Sequence, residues 1–111
     1  MRSCIAADDD VYTQYLWRSV RAKLIARRGS FGEAETMSRE AIGIIEAAQD
    51  PDSQGYAWID LAEVLRMAGR WSDAIDAADQ AVARFELKGN EPSAERARTL
   101  RMEVQAANGP A

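Results

Sequence analysis

Histidine is missing from the 111-residue chain altogether, and cysteine occurs once, as Cys4. The first absence removes the side chain that most often serves as a general base and as a zinc ligand. The second excludes an internal disulfide and fits a reducing, cytoplasmic setting, with Cys4 given an incidental place in a short lead-in. Long apolar runs are missing too. Nothing approaches the roughly 18 residues of a membrane span, and Met1–Ala7 has no apolar core of a secretion signal. Positive charge is in deficit, with 14 Lys and Arg against 18 Asp and Glu for a formal charge of −4. Phosphate binding needs a basic face, so a nucleic-acid partner is not expected. No stretch alternates apolar and polar residues between turn signals, so no strand is predicted.

What is present is apolar spacing of helical period in a chain that is 47% hydrophobic and 29% charged, the composition of a globular single domain. Asp8, Asp9 and Asp10 suit a helix N-terminus, and Val11, Tyr12, Tyr15, Leu16, Val20, Leu24 and Ile25 keep helical spacing as far as Arg27, Arg28 and Gly29. A second helix is predicted over about residues 32–48. A third starts at Asp50-Pro51, where Asp caps and Pro is pre-set for a first turn, and ends at Gly69. A fourth begins at Ser72 and stops at Lys88-Gly89-Asn90, and a charged fifth runs from about residue 91 to 107 before Asn108-Gly109-Pro110.

Residues 22–46 and 62–86 repeat one another. Ala22/Ala62, Gly29/Gly69, Ala34/Ala74, Ala41/Ala81 and Glu46/Glu86 are identical, while Phe31/Trp71, Ile42/Val82 and Ile45/Phe85 are similar. The small residues fall where two antiparallel helices would touch, since a larger side chain there would hold the helices apart. The aromatic residue two places after each Gly can plug the end of its hairpin.

These residues resemble the tetratricopeptide repeat family: Trp58-x2-Leu61-Ala62-x2-Leu65, then Gly69, Trp71, Ala74-x3-Ala78 and Ala81. In the first copy, Arg18 and Arg21 stand in the slots of the family's first Trp and Leu, and Ser38 stands in that of its Phe. The 40-residue period exceeds the family's usual one. The resemblance implies an all-α fold with two tetratricopeptide-like helix-turn-helix repeats, at about residues 9–48 and 51–88. A capping helix at about 91–107 completes a short right-handed solenoid. A narrower likeness runs through Asp9–Gln14, Trp17-Arg18, Arg21–Lys23, Arg27–Gly29, Asp60–Leu65, Ala68–Arg70 and Lys88–Asn90. These segments are similar to the C-terminal helical-repeat segment of bacterial signalling proteins that join a nucleotide-cyclase domain to an ATPase module. There the segment is regulatory or scaffolding. No G-x4-G-K-[ST] loop or metal-binding acidic pair occurs here, so no enzymatic activity and no cofactor are expected.

Such repeats present the first helix of each pair on a concave surface that holds a peptide or a protein partner. Carried onto this sequence, the surface comprises Leu16, Ser19, Lys23 and Arg27 with Tyr56, Ile59, Glu63 and Arg66. Tyr56 would be an anchor and the cations would receive acidic groups. The alternative is a solvated face with Lys23–Glu63 or Arg27–Glu63 pairs. Gln14, Arg18 and Arg21, beside Trp17, could hold a small anion or nucleotide, pair with acids of the third helix, or dock on another domain. Trp17, Trp58 and Trp71 read as core and corner residues. Two repeats are fewer than the roughly three an array usually needs. Tyr12, Tyr15, Leu16 and Trp17 are therefore expected to leave an apolar patch through which the chain self-associates, as a homo-oligomer or a structural spacer.

Overall fold

Three glycines decide where the chain turns. Gly29, Gly69 and Gly89 have φ values of 90°, 75° and 80°, in the left-handed region that a β-carbon disfavours. At each, two N–H groups fold back in the same pattern. Ser30 and Gly29 donate to the carbonyls of Ile25 and Ala26, Arg70 and Gly69 to Leu65 and Arg66, and Asn90 and Gly89 to Phe85 and Glu86. These bonds satisfy carbonyls that a helix end otherwise leaves bare. At the remaining corner the left-handed residue is Gln49, φ 52°, so such residues recur at 29, 49, 69 and 89.

The computed structural model describes the backbone of residues 3–109 and the side chains of residues 11–109. Among these residues the chain is all-helical: α1 (Ser3–Arg27), α2 (Phe31–Glu46), α3 (Pro51–Met67), α4 (Trp71–Lys88) and α5 (Glu91–Asn108). Two expected caps are corrected. α1 already runs through residues 8–10, since nothing in Cys4–Ala7 breaks a helix, and so Asp8–Asp10 are not its cap. The side chains of Cys4 and these aspartates lie outside the described residues. Ser72 falls inside the first turn of α4, whose cap position is Arg70 with no side-chain cap bond, because the glycine corner closes directly onto Trp71. At α5 the cap is Asn90, whose Oδ1 accepts the Ser93 N–H at 3.2 Å.

Each helix packs on its neighbours in the chain, and α1 also packs on α3. The resulting slab measures 57 × 34 × 16 Å, the shape of stacked hairpins and not of a closed bundle. Hydrogen bonds repeat with the 40-residue period. The Tyr12 hydroxyl donates to Asp50 at 2.9 Å, and one repeat later Asn90 donates to Asp52 at 3.1 Å. Glu46 accepts from the Trp58 indole at 3.1 Å, and Glu86 from Arg98 at 2.5 Å.

Small residues line the hairpin seams: Ala22, Ala34, Ala41, Ala62, Ala74 and Ala81 are completely enclosed. Trp58 and Trp71 lean on the core as expected. Trp17 does not; it is 42% exposed. Ser38 is fully buried and its hydroxyl has no hydrogen-bond partner among the described residues, whereas the equivalent residue of the second repeat is Ala78. Burying an unpaired hydroxyl costs about 1–3 kcal/mol. Ser38→Ala is therefore expected to raise stability by about 1 kcal/mol, read as a higher urea midpoint at unchanged slope; a loss instead would reveal a bound water as the hydroxyl's partner.

Candidate functional site

The register of α1 on α3 brings Lys23 beside Asp60 and Glu63, with its Nζ 3.0 Å from Asp60 Oδ1 and 3.5 Å from Glu63 Oε1. Burial raises the Asp60 carboxyl above its ordinary pKa, and Lys23 partly offsets that rise. Burial also lowers the Lys23 ammonium, but the hydrogen bond and charge of Asp60, with Glu63, outweigh it and leave Lys23 above its usual value. Next to this pair, Lys23, Arg27, Glu63, Arg66 and Met67 line an open depression of about 300 Å³.

Four of the eight residues predicted for the concave surface thus converge. Arg27 is exposed and no ion pair to it is found among the described residues. Arg66 reaches Glu103 of α5 at 3.3 Å. Tyr56 stands apart from the depression. Its hydroxyl shares a 2.7 Å hydrogen bond with Ser93, and its ring meets Phe85 edge-on at 4.9 Å. It therefore braces α3 against α5 and α4 while remaining 37% exposed. Ser19 and Ile59 are corrections: both are enclosed in the core and cannot touch a ligand. One residue is 100° of helix rotation, and the outward residue of that turn is Asp60. Leu16 is exposed, as expected.

The second predicted group does not form a convergent anion site. Arg18 donates to the Gln14 carbonyl at 3.0 Å and to its side chain at 2.7 Å, and it lies 4.4 Å over the Trp17 ring. Its nearest acid is Glu40 of α2 at 3.7 Å, not an acid of α3. Arg21 is exposed on the adjacent turn.

The sequence reading missed α5 as a contributor to this face, although the spacing offered a signal, since Glu103 stands 40 residues after Glu63. Tyr15 is a further correction: expected in an exposed apolar patch with Leu16 and Trp17, it is buried beneath the face, 8% exposed. Burial, with Asp60 and Asp50 nearby, raises its hydroxyl pKa to about 12. A folded value above the unfolded one of 10.0 gives stability that is complete below pH 10 and is lost as the pH rises toward 12. That loss is roughly 2–3 kcal/mol, with Lys23 adding to it in the same direction. Tyr15→Phe is expected to flatten this alkaline limb in urea titrations at stepped pH; an unchanged limb would assign it elsewhere.

A stack of helical hairpins with an open face formed by successive first helices is a short α-solenoid. The tetratricopeptide repeat family model matches residues 13–87, more than half the chain. The chain belongs to the tetratricopeptide repeat family. Repeats of this family generally mediate protein–protein interaction and are generally non-catalytic. Comparison with curated proteins and with solved structures gives no match. Among the described residues, no group of three or more His, Cys, Asp or Glu could hold a metal ion, and no helix is long and apolar enough to cross a membrane.

Proposed function

We propose that the chain is a non-enzymatic scaffolding module, acting as one domain, that holds an extended peptide or a helix of a partner protein along the face of α1, α3 and α5. The observation that supports this reading is the convergence of Lys23, Arg27, Glu63, Arg66 and Met67 on one open depression. Lys23 is committed to Asp60 and Glu63. The group that meets a ligand first is therefore Arg27, joined by Arg66 when its exposed pair with Glu103 is exchanged for the ligand's acid, with Met67 beside them and Tyr56 at the far end. Such a face suits a peptide carrying a carboxylate next to an apolar side chain.

Selection from a displayed peptide library, followed by titration of the recovered peptides, tests the reading. Arg27→Glu with Arg66→Glu should weaken the recovered peptides at least tenfold at an unchanged unfolding midpoint; peptides indifferent to both changes would remove the face. The likeness of the segments from Asp9–Gln14 to Lys88–Asn90 supports a finer reading, a regulatory segment of a cytoplasmic bacterial signalling protein. A reading frame immediately upstream that encoded neither a cyclase nor an ATPase domain would oppose it.

A further inference from the structure

The interface between the two hairpins shows what the first hairpin leaves uncovered. On the second hairpin, Ala57, Leu61, Val64 and Ala77 are shut away from solvent, with Val64 set among Ala22, Ile25, Ala26 and Ala34 of the first. The residues one repeat earlier are Trp17, Arg21, Leu24 and Met37. Trp17 and Leu24 are 42% and 47% exposed, Arg21 is exposed and Met37 half-buried. Leu16 and Val20 extend the same stripe at 54% and 48%. The clefts repeat as well. Arg39 of α2 reaches the cleft lined by Asp73, Asp76, Ala77 and Gln80. The same positions one repeat back, Glu33, Thr36, Met37 and Glu40, line an open depression of about 380 Å³.

This face is not shaped for another repeat of the internal kind. An indole replaces the methyl of Ala57, a guanidinium replaces Leu61 and a methionine replaces Ala77. A preceding hairpin packed as α2 packs on α3 would have to accept the extra volume and bury the charge of Arg21. The charge order of α1 fits a different occupant. Asp8, Asp9 and Asp10 lie in its first half and Arg21 and Arg27 in its second, with Arg28 just beyond. Two copies of α1 laid antiparallel bring each acidic half beside the basic half of the other. A two-fold axis at the level of Arg18 sets Leu16 against Val20 of the second copy and residues 8–9 level with residues 27–28.

We propose that the open stripe of α1, Leu16, Trp17, Val20 and Leu24, is a homodimer interface in which two α1 helices pack antiparallel about a two-fold axis. Sedimentation equilibrium of the full chain over the micromolar range should give a mass approaching twice 12.2 kDa. Val20→Glu, which enters the interface twice, should raise the dimer dissociation constant about a hundredfold. Leu24→Lys should act alike, both with unchanged circular dichroism and unfolding midpoint. Asp8→Lys with Asp9→Lys, and separately Arg27→Glu with Arg28→Glu, should each weaken self-association, and the two variants mixed should form a one-to-one heterodimer. A wild-type chain that stays monomeric throughout, or a dimer indifferent to Val20→Glu and Leu24→Lys, would overturn the interface. Charge variants that do not pair when mixed would overturn the antiparallel arrangement.

Discussion

Gly55→Ala is expected to lower the stability of the protein by about 2 kcal/mol, even though alanine is the better helix former by about 1 kcal/mol. Gly55 lies in α3 over the ring of Phe85. A β-carbon there would stand 2.6, 2.7 and 2.9 Å from Cζ, Cε1 and Cε2 of that ring, where carbon atoms in contact settle at roughly 3.5–4.0 Å. The ring is fully enclosed and braced edge-on by Tyr56, so it cannot swing away as a long aliphatic chain would. Forcing a methyl into such a core costs about 1–3 kcal/mol, and more where nothing gives. For a domain of this size the melting temperature should fall by roughly 10 °C. Phe85→Leu makes room, and in that background Gly55→Ala should become neutral or stabilising. A double-mutant cycle with no coupling would show that the ring does not set the cost.

Lys23→Met is expected to cost about 2 kcal/mol at neutral pH, because it leaves the Asp60 carboxylate desolvated with only the weaker charge of Arg96 to offset it. Asp60 and Lys23 expose only 17% and 30% of their side chains, so water recovers only part of the loss. The dependence on pH should be inverted relative to ordinary acid unfolding. A carboxyl whose folded pKa lies above its unfolded one contributes stability when protonated, and that contribution fades as the pH rises through the folded value. Losing Lys23 raises the Asp60 pKa further. The variant should therefore regain stability as the pH falls toward the ordinary carboxylate range, and Asp60→Asn in the same chain should restore it at pH 7. A variant that simply weakened on acidification would rule this account out.

Both expectations turn on residues that periodicity alone does not single out. Helix number and the glycine corners were legible because Gly29, Gly69 and Gly89 meet a local requirement, a left-handed residue after the last turn. Gln49 meets the same requirement without advertising it. The start of α1 was misread because an acidic run signals a helix N-terminus whether or not the helix has already begun. On the face of α1 and α3, Lys23, Arg27, Glu63 and Arg66 were legible from repeat register. Ser19 and Ile59 were not, because a spacing of three or four leaves the outward direction uncertain by one residue. The close approach of Gly55 to Phe85 left no trace in pattern. It shows only when the copies are compared, since Tyr15 and Ile45 occupy the corresponding positions in the first repeat.

The corners every twenty residues, with each helix resting on the next, leave the chain few ties between distant parts of its sequence. Stretched from its two termini, such a molecule has no single clasp to break and should pay out length in hairpin-sized steps, re-coiling from whichever piece is still wound. Its refolding after dilution from urea should be fast for the same reason, because most of its ties close short loops.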